Sequence, residues 1–196
     1  MWHLRAQIIG RTKGKSAIGA AAYRSGTSIH SEHADITFDY SKKKGVEFSE
    51  ILYPEGVPEW AKDRGELWNA VERFEKRKDA TLAREIEVAL PTELSLDLNK
   101  ELLREYIKDQ FVSLGMVADY SIHDVDGKNP HAHIMLTMRP VSEKGFGQKA
   151  REWNDIQVFE TWREQWATIS NKHLALNGHD KKIDHRSSRR IFYQWH

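Results

Sequence analysis

The segment at residues 82–91, LAREIEVALP, restricts the fold more than any other part of the sequence. Ile86, Val88 and Leu90 alternate with Glu85, Glu87 and Ala89, which is the period of a β-strand that buries one face. Residues 2–9, 116–125 and 131–141 are also predicted as strands. Residues 59–78, 96–114 and 155–176 carry apolar side chains at helical spacing and are predicted as helices.

Interleaved strands and helices of this kind indicate an α/β (α+β) fold. Strands with one apolar and one polar face favour a largely antiparallel central sheet, with helices expected on one side only. The opposite sheet face would then be open for a site, and Glu85, Glu87, His131 and His133 would point toward it. Two further β-rich pieces within residues 36–53, joined by SKKKG, are predicted as a hairpin.

Length and composition limit the classes of protein. A chain of 196 residues indicates one domain. The absence of cysteine excludes disulfides, zinc ribbons and cysteine nucleophiles, so any metal site would use His, Asp or Glu. Because there is no signal-peptide pattern and no apolar run approaching the ~20 residues of a membrane span, we expect a cytoplasmic protein without membrane insertion.

Positive charge is concentrated at the two ends of the chain, although the net charge is only +1. Residues 1–31 contain no acidic residue and five basic ones, namely Arg5, Arg11, Lys13, Lys15 and Arg24. The last sixteen residues hold five basic residues against one acidic residue. A polyanion would be attracted to these ends and not to the middle of the chain.

Three histidines have the spacing of a metal site. His131 and His133 are two residues apart, so a strand would place both on one face. His123 would join them if residues 116–125 and 131–141 form a hairpin around the turn sequence DGKNP. Three protein ligands leave positions for water or substrate, as in a catalytic site. Histidines without a metal are the alternative.

The residue types also bear on the metal. Imidazole suits zinc, manganese, nickel or iron, whereas substrate phosphate oxygens would favour Mn²⁺ or Mg²⁺ in function.

Tyr23 lies in a basic segment of small residues, AAAYRSG, in a short helix that Ser16 could cap. A phenol with a pKa of ~10 needs activation before it can act as a nucleophile. Arg24 and the metal bound to the phosphate would supply positive charge, and Glu85 or Glu87 could accept the proton. Residue type alone favours the alternative, in which Tyr23 packs in the core.

Four segments together resemble the MobA/MobL family of plasmid relaxases, which are MobQ-type HUH endonucleases. The segments are IIGRTKGKSAIGAAAYRSG, LAREIEVALP, HDVDGKNPHAHIMLTMRP and IDHRS, and the resemblance extends over about residues 1–188. It implies a five-stranded antiparallel sheet flanked by helices, the HUH relaxase fold. It also implies that Tyr23 is the nucleophile, that His123, His131 and His133 bind the metal, and that Glu85 and Glu87 support the site, as a base or by orienting a histidine.

The resemblance implies a function as well. Relaxases nick one DNA strand at a plasmid origin of transfer, form a 5′-phosphotyrosine intermediate and religate the strand during conjugative mobilisation. We therefore expect single-stranded origin DNA with an adjacent hairpin as partner, together with relaxosome accessory proteins and a coupling protein. Arg11, Lys13, Lys15 and Arg24 are the expected DNA-binding residues.

Residues 1–188 would form the relaxase domain and 189–196 a basic tail, either of a short protein or of a relaxase domain cut from a longer one. Two alternative functions stay open. One is a non-catalytic DNA-binding module, and the other is a metal-dependent nuclease in which His3 activates water.

Overall fold

The computed structural model describes residues 3–187 and 193–194. Within these ranges the strands are β1 Leu4–Gly10, β2 Ser28–Ser31, β3 Ile36–Asp39, β4 Val46–Leu52, β5 Thr81–Ala89, β6 Ala118–His123, β7 His131–Leu136, β8 Val141–Ser142, β9 Gly145–Phe146 and β10 Tyr193–Gln194. The α-helices are α1 Ala17–Ser25, α2 Arg64–Phe74, α3 Leu96–Gln110 and α4 Ile156–Leu176. Short 3₁₀ turns connect several of them.

The central sheet has the strand order β10-β1-β5-β7-β6-β4. All neighbours pair antiparallel except β10, which runs parallel to β1. The five-stranded antiparallel core of this sheet confirms the predicted fold class. Of the proposed basic tail, residues 189–196, the structure describes residues 193 and 194, which form β10. The other residues of the tail lie outside the described part of the chain.

The prediction of a hairpin over residues 36–53 is wrong. β3 pairs with β2 to form a separate two-stranded sheet, and Asp35 in the connecting turn has a left-handed backbone, with φ 51°. β4 instead pairs with β6 at the edge of the central sheet. There its residues Phe48 and Leu52 pack against the main hydrophobic core, and a hairpin outside the sheet would leave such contacts unmade.

One face of the central sheet packs against α3 and α4. Ile86, Val88 and Ile134 from the sheet share a fully buried cluster with the tryptophans of α4, Trp162 and Trp166. These are the apolar positions that alternation assigned to the core. The predicted helices at 96–114 and 155–176 supply this layer, as α3 and α4.

The expectation of helices on one side only is also wrong, because α1 and α2 pack against the other face. Ile9, Ala83 and Met135 are apolar residues on that face, and they are buried in one cluster with Ala17 and Ala21 of α1. The small side chains of α1 let the helix lie close to the strands. Helices therefore cover the end of this face where its residues are apolar.

Helix α2 is fixed to the same face by a buried polar contact. The Trp68 indole nitrogen donates a 2.9 Å hydrogen bond to Asp119 of β6, and the Arg64 guanidinium pairs with the same carboxylate. Asp119 is thereby satisfied although it is buried. None of the described helices combines the length and the hydropathy required for a bilayer span.

Candidate active site

The register of the central strands gathers the predicted site residues on the part of the face that α1 and α2 leave uncovered. Glu87 of β5 lies opposite His133 of β7, and His131 of β7 lies opposite His123 of β6. Glu85 lies two residues from Glu87 on the same strand, so both carboxylates share this face.

The three histidines form one cluster. His123, His131 and His133 each offer a ring nitrogen, and these three atoms lie within 4.8 Å of one another. The ring centroids are 4.9 to 5.3 Å apart. The hairpin that the sequence predicts around residues 126–130 places them there, since His123 and His131 are direct cross-strand partners. The donor set fits a divalent transition metal with open coordination positions.

Backbone carbonyls fix the protons of two of these rings. His123 Nε2 donates to the carbonyl oxygen of Arg24 at 2.6 Å, and His131 Nδ1 donates to that of Asn129 at 2.7 Å. Because a carbonyl only accepts, each contact places the proton on that nitrogen and leaves the other nitrogen of the ring with a lone pair. Contacts of this kind orient metal-binding histidines.

Two carboxylates lie beside the third ring, that of His133. The buried His133 Nδ1 lies 3.5 Å from Glu85 Oε1 and 3.8 Å from Glu87 Oε2. Its other ring nitrogen is therefore the one free to face a metal. A second group of possible ligands, made of Glu85, Glu87 and His133, shares this ring.

Burial keeps His123 in the form that binds a metal. Burial is the main reason that the pKa of His123 is lowered to about 4; the hydrogen bond to Arg24 O opposes this, and the charges of His133, Lys43 and His131 add to it. The imidazole is thus neutral at neutral pH, as metal ligation requires.

Glu85 is almost completely buried and has charged partners. It accepts a hydrogen bond from the Arg24 guanidinium and another, of 2.7 Å, from Gln7 Nε2. Burial alone would raise the pKa of Glu85, but hydrogen bonding to His133 and the ion pair with Arg24 outweigh it and lower the pKa to about 2. The carboxylate is therefore an anion when the site works.

Glu87 is held by a different group. Its Oε1 lies 3.0 Å from His3 Nε2, and this hydrogen bond, opposed by burial, is the main cause of its lowered pKa. Both acids thus lie beside His133 and have other partners. This arrangement favours the role of orienting a ligand histidine over that of a base for Tyr23.

Helix α1 carries Tyr23 next to Arg24, whose carbonyl contacts the cluster. Ser16 caps its N-terminus by accepting from the Gly19 amide, and Gly26 ends it with a left-handed backbone. The Tyr23 side chain is 48% exposed, which argues against the alternative of a core residue. Its neighbour Arg24 supplies the carbonyl that binds His123, so the nucleophile candidate is one residue from a contact of the histidine cluster.

The four predicted DNA-binding residues differ in their surroundings. Arg24 pairs with Glu85, and Arg11 donates to backbone carbonyls that include Glu72 O and Arg77 O. Lys15 is exposed, and the side chain of Lys13 lies outside the described part of the chain. DNA binding by these residues stays a prediction. In the structure, both arginines already have partners within the protein.

Sequence reasoning missed two residues at the site, Gln7 and Lys43. Gln7 lies directly opposite Glu85 in the register of β1 and β5, and the polar position in an apolar strand was the available signal. Lys43 lies over the Tyr23 ring, and nothing in its sequence context separates it from the adjacent Lys42 and Lys44.

Comparison with known proteins gives the family. The model of the MobA/MobL family matches residues 15–191. The chain belongs to the MobA/MobL family. The conjugal transfer protein TraA of Rhizobium radiobacter is 37% identical over an alignment of 216 positions that covers 94% of this MobA/MobL chain and 20% of that relative. The chain thus spans about a fifth of the length of TraA.

Solved structures share the fold of this MobA/MobL chain. One, described as the molecular basis of vancomycin resistance transfer in Staphylococcus aureus, is 33% identical with a TM-score of 0.86, covering 96% of this chain and 100% of the other. Another is a MobM relaxase domain bound to plasmid oriT DNA in a manganese-bound crystal structure. It is 13% identical with a TM-score of 0.53, and the match covers 98% of this chain and 96% of MobM. The relaxase domain fold is therefore shown.

Proposed function

We propose that this chain is a relaxase domain that nicks and religates one DNA strand at a plasmid origin of transfer through Tyr23. One observation carries the proposal: the helix that bears Tyr23 is hydrogen bonded to a cluster of three histidine ring nitrogens within 4.8 Å, through Arg24 O and His123. An exposed phenol beside an open three-histidine site has the components of metal-assisted phosphoryl transfer.

His123, His131 and His133 are the residues that would hold the metal. A bound divalent cation would withdraw charge from the scissile phosphate. Mn²⁺ or Mg²⁺ are the ions we propose, because phosphate oxygens complete the ligand set with hard donors. The manganese in the MobM structure supports this choice.

The chemical step exchanges one phosphodiester for another. The Tyr23 oxygen forms a bond to the phosphorus, and the bond from phosphorus to the 3′ oxygen breaks. The phenol proton leaves to solvent, and the 3′ oxygen gains a proton. The 5′ phosphate stays on Tyr23, so the reverse reaction with a 3′ hydroxyl restores the strand. Glu85 and Glu87 hold His133 in orientation through this exchange.

The substrate of this proposal is single-stranded origin-of-transfer DNA with an adjacent hairpin, since oriT DNA is bound by MobM. Lys15 and the other basic residues near the N-terminus would neutralise phosphates, which makes binding sensitive to salt. Residues 1–188 would be the nicking unit, working in the cytoplasm with relaxosome accessory proteins and a coupling protein.

The test is the covalent adduct. The protein is incubated with Mn²⁺ and a single-stranded oriT oligonucleotide labelled at its 3′ end, because the downstream fragment is the one that stays on the tyrosine. Wild type should give a labelled protein band on a denaturing gel, and Tyr23→Phe should give none. Tyr53→Phe is the matched control, since Tyr53 is also exposed, at 40%.

Each other outcome identifies a rival function. An adduct formed by Tyr23→Phe would refute the assignment of the nucleophile. Cleavage without an adduct would indicate a nuclease that uses water, and DNA binding with neither would indicate a non-catalytic module. A His131→Ala variant that nicks in the presence of chelator would remove the metal from the mechanism.

A further inference from the structure

The turn that follows β3 lies against the candidate nucleophile. Asp39 accepts hydrogen bonds from the amide and hydroxyl of Ser41, at 3.0 and 2.6 Å, and the Lys43 amide donates to Tyr40 O at 2.9 Å. These bonds fix residues 39–43 as a compact turn. Tyr40 and Lys43, from the two sides of this turn, both contact Tyr23.

The contacts of Lys43 with Tyr23 are close and of two kinds. Lys43 Nζ lies 3.5 Å from the centroid of the Tyr23 ring, and the same ammonium donates a 2.9 Å hydrogen bond to Tyr23 O. The Tyr40 ring meets the Tyr23 ring edge to face, with centroids 5.2 Å apart. The ring of the exposed phenol therefore contacts both a cation and a second aromatic side chain.

Lys43 differs from its neighbours in sequence. It is half-buried, whereas Lys42 and Lys44 are exposed. Burial, followed by the charge of Arg24, lowers the pKa of Lys43, so placing an ammonium here has a cost in solvation. The contacts with Tyr23 offset that cost, since a partly desolvated cation gains more from an aromatic face than an exposed one does.

We propose that Lys43, with Tyr40, is a positioning residue for Tyr23: it holds the phenol ring in the orientation that presents the hydroxyl to a phosphate at the histidine cluster. This inference rests on the proposed function. It adds a chemical reason as well, because the attraction of the ammonium increases as the phenol loses its proton and its ring gains negative charge. The turn of residues 39–43 thus belongs to the active site although it lies outside the central sheet.

The test removes the charge while keeping the length of the side chain. Lys43→Met is compared with Lys42→Met and Lys44→Met, and Lys43→Arg is the conservative replacement. Two quantities are measured: the single-turnover rate of adduct formation at saturating oligonucleotide, and the Kd for an uncleavable oligonucleotide.

Lys43→Met should slow adduct formation by about tenfold, which a partly desolvated cation–π contact can supply. Its Kd should stay within about twofold, because exposed cations such as Lys15 remain to bind phosphates. Lys43→Arg should recover most of the rate, and the two control variants should match wild type.

Three results would overturn the proposal. An unchanged rate in Lys43→Met removes the role altogether. A weaker Kd with an unchanged saturated rate makes Lys43 a DNA contact instead. A lowered melting temperature, with no recovery of rate in Lys43→Arg, assigns the residue to folding.

A spectroscopic measurement separates this proposal from the proposed function. The ε-methylene protons of Lys43 should resonate upfield of those of Lys42 and Lys44, because the face of an aromatic ring shields them, and Tyr23→Leu should abolish that shift. An absent shift refutes the contact even if wild type forms the adduct. A shift in a protein that forms no adduct refutes the proposed function and the catalytic purpose of the contact together.

Discussion

The ion pair between Arg24 and Glu85 should be a large contributor to the stability of the metal-free protein. The Glu85 side chain is 2% exposed and that of Arg24 17% exposed, so removal of either partner leaves the other charge buried. Glu85→Gln would leave the Arg24 guanidinium beside a neutral amide. Arg24→Met would leave the Glu85 carboxylate with Gln7 and His133 as its polar neighbours.

Two routes give the same magnitude for Glu85→Gln. Breaking a buried ion pair by removing one partner costs about 3–5 kcal/mol. The pKa of Glu85 is lowered from 4.5 to about 2. At about 1.4 kcal/mol per pKa unit, this corresponds to about 3 kcal/mol of preference for the charged form, which His133 and Arg24 supply together. We therefore expect each single variant to lose about 3 kcal/mol of unfolding free energy.

Urea unfolding in the presence of chelator measures this loss. With a slope of about 2 kcal/mol per molar urea, the midpoint should fall by about 1.5 M in each single variant. The double variant should lose less than the sum of the two single losses, by about 2 kcal/mol, because no buried charge is left unpaired. Arg77→Met, which breaks an exposed pair with Asp79, is the control and should not shift the midpoint.

The ion pair is not a large contributor to stability if the two single losses simply add in the double variant, or if Glu85→Gln unfolds at the wild-type midpoint. Additive losses would mean that the two side chains act separately in the folded state. An unshifted midpoint would mean that solvent reaches the pair and screens it.

Three further perturbations test other parts of the structure. His131→Ala should weaken Mn²⁺ binding at least about tenfold in calorimetric titration, because it removes one of three imidazoles, and an unchanged affinity would contradict the site. Burial would raise the pKa of Glu75, but Arg139 and Lys149 outweigh burial and lower that pKa. The ionised Glu75 therefore stabilises the folded protein at pH values above the ordinary pKa of a glutamate, and this stabilisation is lost as the pH falls through the lowered pKa. Glu75→Gln should therefore flatten the loss of stability below about pH 4.5 in urea midpoints, and an unchanged acid slope would refute this. Gly115→Ala should cost about 1–3 kcal/mol in thermal unfolding, since Gly115 has φ 96° and a new Cβ would lie 2.8 Å from Pro140 Cβ; a wild-type melting temperature would count against that clash.

The histidine cluster could be predicted from the sequence because its geometry is local. His131 and His133 share a strand, and a short turn returns the chain to His123, so strand parity and one hairpin are sufficient. Parity also places Glu85 and Glu87 on the same face. The partners of these acids could not be found in this way, because Arg24 and His3 come from elements distant in sequence.

The second helical layer could not be predicted for a related reason. Ile9, Ala83 and Met135 form an apolar patch only after three strands are aligned side by side. Within its own strand, each is an apolar residue on the face where polar residues alternate with the core positions. The position of β4 depends in the same way on long-range pairing with β6. Lys43 is a further case, since its burial follows from the path of a turn and not from its sequence neighbours.

Arg24 links the candidate nucleophile to the candidate metal centre through both its backbone and its side chain. Its carbonyl accepts from His123, its guanidinium pairs with Glu85, and Glu85 lies 3.5 Å from His133 Nδ1. Tyr23 precedes it on the last turn of α1, so a shift of that turn would displace the phenol and two candidate ligand rings together. Lys43, in contrast, makes its side-chain hydrogen bond and its cation–π contact with Tyr23. A change at Arg24 should therefore alter metal affinity and nicking rate together, whereas a change at Lys43 should act mainly on the rate.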